Sequence, residues 1–121
     1  SVSEIGKFAS HGGLFEKTSF SCWREPGFED RFRSHGRNQA LVFGMEAHVC
    51  VLQSVLEMLG AGVQVYVVAD ACGSRRPEDK ALALSRMAAR GAEVVSSEMV
   101  IFELLRVAAT AEFREVLPLI K

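Results

Sequence analysis

The sequence has few residues of the kinds that build covalent or metal-based frameworks. Its three cysteines, Cys22, Cys50 and Cys72, are an odd number without CxxC spacing, which indicates neither a disulfide framework nor a four-ligand zinc site. The three histidines are widely separated and form no HExxH or HxH group. We therefore predict no metal site and no cofactor, and the unpaired cysteines favour a cytoplasmic protein.

The sequence also lacks an excess of charge of either sign and any long hydrophobic run. Its 14 Lys and Arg residues are interleaved with 15 Asp and Glu residues, which provides no electrostatic surface for nucleic acid or for an anionic membrane. The longest strongly apolar runs, such as residues 63–69, are far shorter than the roughly 20 residues that span a bilayer. We predict no nucleic-acid partner and no membrane association.

The 121 residues, 49% of them hydrophobic, are enough for one domain, residues 1–121, with a packed core. From Asn38 onward, strand and helix patterns alternate, which predicts an α/β fold with a mostly parallel sheet. The predicted strands span residues 39–44, 63–69 and 92–95. The predicted helices span residues 27–34, 48–59, 77–90 and 98–108, with a last one from Thr110 towards Leu117 that Pro118 stops. Residues 1–13 are predicted as loop or short helix and residues 14–19 as an extended segment.

Several of these elements carry expectations about packing. The continuous apolar run of residues 39–44 is typical of a strand buried on both faces. Leu84, Met87 and Ala88 should form the buried face of the helix that begins at Pro77. The helix over residues 98–108 is apolar on more than one side, so it either packs into the core or forms a subunit interface. We expect a homo-oligomer, a dimer or larger.

The segment from Gly44 to Val51, GMEAHVCV, carries the strongest chemical signal. It follows a hydrophobic strand, turns sharply, and places Cys50 just inside an amphipathic helix. A helix N-terminus has unpaired N–H donors and a partial positive charge, which favour a thiolate and can hold an oxyanion. This position predicts a nucleophile for acyl transfer through a thioester. The alternative is that Cys50 is a small core hydrophobe, as free cysteines often are.

Four segments together resemble the isochorismatase-like cysteine hydrolases: FEKTSFS from Phe15, GMEAHVCV from Gly44, DACGSR from Asp70, and Gly91-Ala92 followed by Ser97-Glu98. Their order, spacing and strand or helix context agree, and the resemblance runs nearly end to end. It is closest to the isochorismatase domain-containing proteins. It implies a Rossmann-like three-layer α/β/α fold with a mostly parallel sheet, and a catalytic triad of aspartate, lysine and cysteine.

The resemblance also implies roles for individual residues. Cys50 matches the nucleophile, and Lys17 matches the triad lysine, whose ammonium would stabilise the thiolate. A cis peptide bond is implied between Met45 and Glu46. The backbone N–H groups of Glu46 or Ala47 and of Cys50 would then form the oxyanion hole.

Three further side chains are candidates for binding a small-molecule substrate. Phe20 and Trp23 follow Lys17 and would form an aromatic wall of the pocket, although an aromatic pair is also typical of a core. His48 does not share the helical face of Cys50, so we interpret it as a turn or pocket residue rather than a base.

The remaining polar and sulfur side chains are expected to be structural. The Glu46 side chain either lines the pocket or is a solvated turn carboxylate. Asp70 and Arg75 lie in a predicted polar turn, residues 70–75, where we expect turn hydrogen bonds or a salt bridge before any substrate contact. Cys22 and Cys72 are expected to be packing residues.

One part of the family pattern has no counterpart in this sequence. The triad aspartate of the family lies on its first strand, in an Asp-x-Gln type of segment that is absent here, as is the strand that neighbours the 39–44 strand. Because proteins avoid unpaired strand edges beside apolar faces, we expect the 121 residues to be part of a longer polypeptide. The alternative is a short chain whose sheet is completed by a partner subunit.

The expected function is hydrolysis of a small amide, imide or related C–N substrate, with Cys50 as nucleophile, Lys17 as its electrostatic partner and a base from outside this sequence. Two alternatives stay open. One is isochorismatase-type vinyl ether hydrolysis. The other is a non-catalytic protein that keeps the fold and its oligomeric interface for binding.

Overall fold

The computed structural model of the chain describes residues 17–106 and 111–120. The elements are, in chain order, a 3₁₀ turn (Cys22–Arg24), α1 (Phe28–Arg33), β1 (Gln39–Met45), a π-helical turn (Ala47–Val51), α2 (Leu52–Gly60), β2 (Gln64–Gly73), α3 (Pro77–Ala89), β3 (Glu93–Val95), α4 (Ser97–Leu105) and α5 (Ala111–Ile120). The predictions for residues 1–16 and for the cap at Thr110 lie outside the described residues.

The three strands form one parallel sheet in the order β1-β2-β3, which confirms the predicted α/β class. Parallel neighbours need long crossover connections, and α2 and α3 supply them. β1 pairs with β2 from Gln39 opposite Gln64 to Met45 opposite Gly73. The carboxyl ends of β1 and β2 therefore meet at one edge of the sheet.

The hydrophobic core lies between the sheet and the two helices α2 and α3. Val65 and Val67 of β2 point to the same face of the sheet because side chains alternate along a strand. They belong to one buried cluster with Val55 of α2 and Met87 of α3, both of which are 0% exposed. Within the two described ranges, no helix is both long and apolar enough to span a bilayer.

β1 is covered on one face only. Ala40 and Val42 pack against the core, whereas Leu41, Phe43 and Met45 are 49%, 63% and 72% exposed. The prediction of a strand buried on both faces is therefore wrong for the described part of the chain. The reason is that α2 and α3 both pack on the side of the sheet to which Ala40 and Val42 point.

β2 is longer than predicted and contains a bulge. It runs to Gly73 instead of ending at residue 69, so the predicted polar turn begins within a strand. Val42 lies opposite Val67, but Gly44 lies opposite Cys72, so residues 68–71 of β2 stand opposite one residue of β1. Extra residues of this kind bend a strand and redirect its side chains.

The helices differ from the predictions in their buried faces and their ends. α3 buries Ala83 and Met87, which lie four residues apart on one face, whereas Ala88 is on the next face and is exposed. The described part of α4 buries none of its residues, so the expectation that it packs into the core is wrong, and the subunit interface stays a prediction. Pro118 lies inside the last turn of α5 rather than before its end.

Asp70 joins the bulge of β2 to the start of α4. Its carboxylate accepts a hydrogen bond from the backbone N–H of Ser97 at 2.8 Å and another from the Ser97 hydroxyl. The bonds from Ser97 hold the pKa of Asp70 below its usual value of 3.8. The expectation that Asp70 makes structural hydrogen bonds is confirmed.

We expect Asp70→Asn to lower the urea midpoint of unfolding at neutral pH. The folded pKa lies below the unfolded value, so the stabilising contribution is complete above the unfolded pKa and is lost as the pH falls through the folded pKa. The difference between the two proteins should therefore shrink on acidification below 3.8. Urea titrations over this pH range measure it, with Asp30→Asn in α1 as the matched control. A difference that stays constant with pH contradicts the role of the ionised carboxylate.

Candidate active site

The candidate site lies at the carboxyl ends of β1 and β2, where parallel α/β sheets commonly bind ligands. Met45 and Gly73 are paired across the two strands, so the residues that follow them emerge side by side. The segment after β1 contains Glu46 and Cys50. The segment after β2 contains Ser74 and Arg75.

The chain turns sharply where β1 ends. Gly44 has a φ of 134°, a conformation that favours glycine because it has no Cβ. The peptide bond between Met45 and Glu46 is cis, as the resemblance implies. The positive φ of Gly44 lets the chain leave the strand and enter the turn that carries Cys50.

Cys50 lies in a π-helical turn rather than in the first turn of an ordinary α-helix. The carbonyl of Glu46 accepts hydrogen bonds from the backbone N–H groups of Val49 at 3.1 Å and Val51 at 3.2 Å. π-turns occur often at functional sites. Glu46, Ala47 and Cys50, whose amides are predicted to bind an oxyanion, all belong to this turn or its N-cap.

The Cys50 side chain is partly exposed, and it is not a member of the hydrophobic core formed by the described residues. Ala47, by contrast, is 0% exposed and Val51 is 5% exposed, so the turn is anchored to the core on either side of Cys50. Cys50 therefore lies outside the core, on a backbone that the core anchors.

Glu46 forms an ion pair that fastens the turn to the neighbouring loop. Its carboxylate accepts hydrogen bonds from the backbone N–H of Arg75 at 3.2 Å and from the Arg75 Nε–H at 3.1 Å. The Glu46 side chain is 22% exposed and that of Arg75 is 82% exposed. The expected salt bridge of Arg75 is confirmed, and the Glu46 carboxylate is not the solvated group that one interpretation predicted.

His48 makes a second link between the same two segments. Its Nδ1 forms a hydrogen bond with the Ser74 hydroxyl at 2.9 Å, and its Nε2 lies 3.9 Å from a carboxylate oxygen of Asp79 in α3. The ring is partly buried, and each of its nitrogens faces a polar group that follows β2 in the chain. These contacts place His48 in the turn and beside the loop after β2.

Lys17 lies at the start of the described chain and is exposed. Its ammonium donates hydrogen bonds to the backbone carbonyls of Ser19 at 2.8 Å and Phe20 at 2.9 Å. Both bonds lie within its own loop, and neither brings it to Cys50. The pairing of Lys17 with Cys50 therefore stays a prediction.

The two aromatic candidates have different surroundings. Trp23 packs edge-on against Phe28 and Phe32, with ring centroids 6.1 and 5.5 Å apart, and this group lies against the hydrophobic core. The guanidinium of Arg33 lies 5.6 Å from the Trp23 ring centroid. Phe20 is 60% exposed and lies three residues after Lys17, whose ammonium binds its carbonyl. Of the two, Phe20 has the accessible surface that a pocket wall needs.

The other cysteines have the packing roles expected of them. Cys72 is buried in the core, and burial raises the pKa of its thiol. Cys22 is partly exposed, like Cys50, but it packs against the same core. These two thiols provide internal references for the reactivity of Cys50.

Sequence reasoning did not identify four polar partners of the site: Ser54, Ser74, Asp79 and Glu25. Each acts across more than five residues of sequence, so no local motif signals it. The described residues contain no group of three His, Cys, Asp or Glu side chains that would hold a metal ion.

The sequence matches the family described as Isochorismatase domain over residues 5–99. It is 43% identical over 108 residues to isochorismatase domain-containing protein 2 of Bos taurus, a match that covers 88% of this chain and 52% of that protein. The chain spans about half the length of the curated relatives it matches.

Two solved structures of proteins called YcaC resemble the fold. The Pseudomonas aeruginosa protein, described with hexane-2,5-diol and covalent acrylamide, has a TM-score of 0.87 and 27% identity, and the match covers 96% of this chain and 59% of that one. The Escherichia coli protein, described as an octameric hydrolase of unknown specificity, has a TM-score of 0.83 and 25% identity, with 88% and 53% covered. Both likenesses fit the expected three-layer α/β/α architecture. The chain belongs to the isochorismatase family, in the branch of the isochorismatase domain-containing proteins.

Proposed function

We propose that this chain is the nucleophile-bearing part of a cysteine hydrolase that acts on a small amide, imide or related C–N compound. The observation that carries the proposal is the placement of Cys50, which is partly exposed in a π-turn at the carboxyl edge of the sheet. Backbone amides gather at such a turn, and they can stabilise the negative charge of a tetrahedral intermediate.

The proposed reaction has two steps. In the first, the Cys50 thiolate attacks the carbonyl carbon, a C–S bond forms, and the C–N bond breaks as its nitrogen takes up a proton; an amide then releases ammonia or an amine, whereas a cyclic imide opens its ring. In the second, water attacks the thioester, which releases the acid and returns the thiol. A base from outside the 121 residues accepts the thiol proton in the first step and assists water in the second.

Lys17 has the role of stabilising the thiolate, and the amides of Glu46 or Ala47 and of Cys50 have the role of the oxyanion hole. Both assignments come from the family motif and from the position of these residues in the turn or its neighbouring loop. Phe20, Trp23 and His48 are the proposed substrate contacts. Phe20 is the most accessible of the three.

Properties of the relatives support the proposal. The Escherichia coli protein is described as a hydrolase, and the Pseudomonas aeruginosa protein is described with covalent acrylamide, a reagent that adds thiolates to its terminal vinyl carbon. The octameric state of the Escherichia coli protein supports a homo-oligomer here. The exposed apolar side chains of α4, Met99 and Leu104, are candidates for such an interface. A cytoplasmic location is part of the same proposal.

We expect acrylamide to modify Cys50 at neutral pH much faster than Cys22 or Cys72. Cys50 and Cys22 are both partly exposed, but Cys22 packs against the hydrophobic core, and Cys72 is buried, which raises the pKa of its thiol. Peptide mapping by mass spectrometry after timed quenching gives the three rates in one sample. The same measurement on urea-unfolded protein is the control, because the three rates should then converge.

Two results would contradict the proposal. One is modification of all three thiols at similar rates in the folded protein, which is the behaviour of a binding protein that keeps the fold without the chemistry. The other is selective modification of Cys22, which would assign the reactive thiol to the loop before α1 instead.

A further inference from the structure

The segment from Lys17 to Glu25, called here the Lys17 loop, is closed by the charged side chains at its two ends. The Glu25 carboxylate accepts hydrogen bonds from the backbone N–H of Thr18 at 2.6 Å, from the backbone N–H of Ser19, and from the Thr18 hydroxyl at 3.3 Å. One carboxylate oxygen of Glu25 therefore accepts hydrogen bonds from the two consecutive backbone amides directly after Lys17.

The Lys17 ammonium binds the carbonyl groups of the next two peptides of the loop. It donates to the carbonyls of Ser19 and Phe20 at 2.8 and 2.9 Å. The negative charge of Glu25 therefore binds the two N–H groups that follow Lys17, and the positive charge of Lys17 binds the carbonyls of the two peptides after them. Charge-assisted bonds of this kind are stronger than neutral ones. The backbone bonds from Ser19 and Thr18 also hold the pKa of Glu25 below its usual value of 4.5.

The far end of the loop is attached to the helix that follows Cys50. The backbone N–H of Cys22 donates to the Ser54 hydroxyl at 2.9 Å, and Ser54 is only 5% exposed. Ser54 lies four residues after Cys50 along the continuous helical run, about one turn away. Arg24 adds an ion pair with Glu57 of α2 at 2.7 Å. The loop is thus fixed to the element that carries the candidate nucleophile.

We propose that Glu25 is a positioning residue that holds the Lys17 loop closed, so that the Lys17 ammonium is presented to Cys50 in the reaction. This inference rests on the proposed function. An ammonium group has three N–H donors. Two are used by the carbonyls of Ser19 and Phe20, and the third is the one assigned to the thiolate.

The role of Glu25 predicts a specific coupling between two substitutions. Glu25→Gln should lower the rate of Cys50 modification by acrylamide by roughly tenfold, because the neutral amide holds the two N–H groups less firmly. Lys17→Ala should lower it by at least as much. The double variant should be no slower than Lys17→Ala alone, because Glu25 acts only through Lys17.

Glu29→Gln is the matched control. Glu29 is an exposed carboxylate four residues after Glu25, and it forms a 3.5 Å ion pair with Arg33 on the surface of α1. This substitution should leave the rate unchanged. Thermal unfolding of each variant separates positioning from stability, because Glu25→Gln should change the rate far more than the unfolding temperature. Hydrogen exchange at the backbone amides of Thr18 and Ser19 should be faster in Glu25→Gln than in the native protein, and unchanged in Glu29→Gln.

The outcomes distinguish this inference from the proposed function. If Cys50 is selectively modified but Glu25→Gln does not slow it, or if the two substitutions are additive, the positioning role is wrong and the hydrolase proposal stands. If Cys50 shows no selective modification in the unsubstituted protein, the proposed function fails and the inference fails with it.

Discussion

Cys50→Ser should abolish turnover of any small amide or imide that the native protein hydrolyses, with a loss on the order of a thousandfold or more. The hydroxyl of serine is a far weaker nucleophile than a thiolate, because it stays protonated under conditions that ionise a thiol. Release of ammonia from a panel of primary amides, and loss of the parent compound for cyclic imides, whose ring opens without releasing ammonia, measure turnover by the native protein and by the variant.

The matched control is Cys22→Ser, which makes the same chemical change at a partly buried thiol that packs against the core. We expect it to retain turnover. The proposal is contradicted if Cys50→Ser retains turnover, or if the native protein hydrolyses no member of the panel although acrylamide modifies Cys50.

Met87→Ala should lower the free energy of unfolding by about 2–5 kcal/mol, the range for truncating a large buried aliphatic side chain. Met87 of α3 is 0% exposed and lies in the cluster that joins α3 to Val55 of α2 and Val67 of β2. Its removal leaves a cavity where the two helices meet the sheet. Urea denaturation at constant temperature gives the difference.

Leu82→Ala is the control for this second substitution, because Leu82 lies on the same helix and is 69% exposed. Its effect should stay within about 0.5 kcal/mol. Equal losses at positions 82 and 87 would mean that α3 is not packed on the sheet by the face that contains Ala83 and Met87.

The sequence predicts much of the fold because three short apolar strands alternate with helices whose buried residues recur at helical spacing. Met87 and Val55 follow from that periodicity alone. The open face of β1 does not, because the run from Ala40 to Phe43 is apolar on both faces and carries no sign of which face is covered. The sequence does not predict the bulge of β2 either. Asp70 and Gly73 are residues typical of turns, and only the pairing with β1 extends the strand through them.

The candidate site also has a part that the sequence predicts and a part that it does not. The sharp turn before Cys50 is a local property of the segment from Gly44 onward, so it is predictable. The bond between His48 and Ser74 spans 26 residues, and that between Glu46 and Arg75 spans 29. Such contacts depend on which strand ends meet at the sheet edge, and one sequence without its three-dimensional pairing does not specify them.

The bulge in β2 lets one strand pack against the core at Val67 and hold the start of α4 through Asp70 at separate positions. Val67 is fixed opposite Val42 on the core side, and Cys72 is fixed opposite Gly44 at the edge that holds the turn. Between these two anchors, residues 68–71 follow their own path and place Asp70 against the start of α4. A change in the length of this stretch can alter how α4 is seated while the spacing between the packed interior and the reactive edge stays the same.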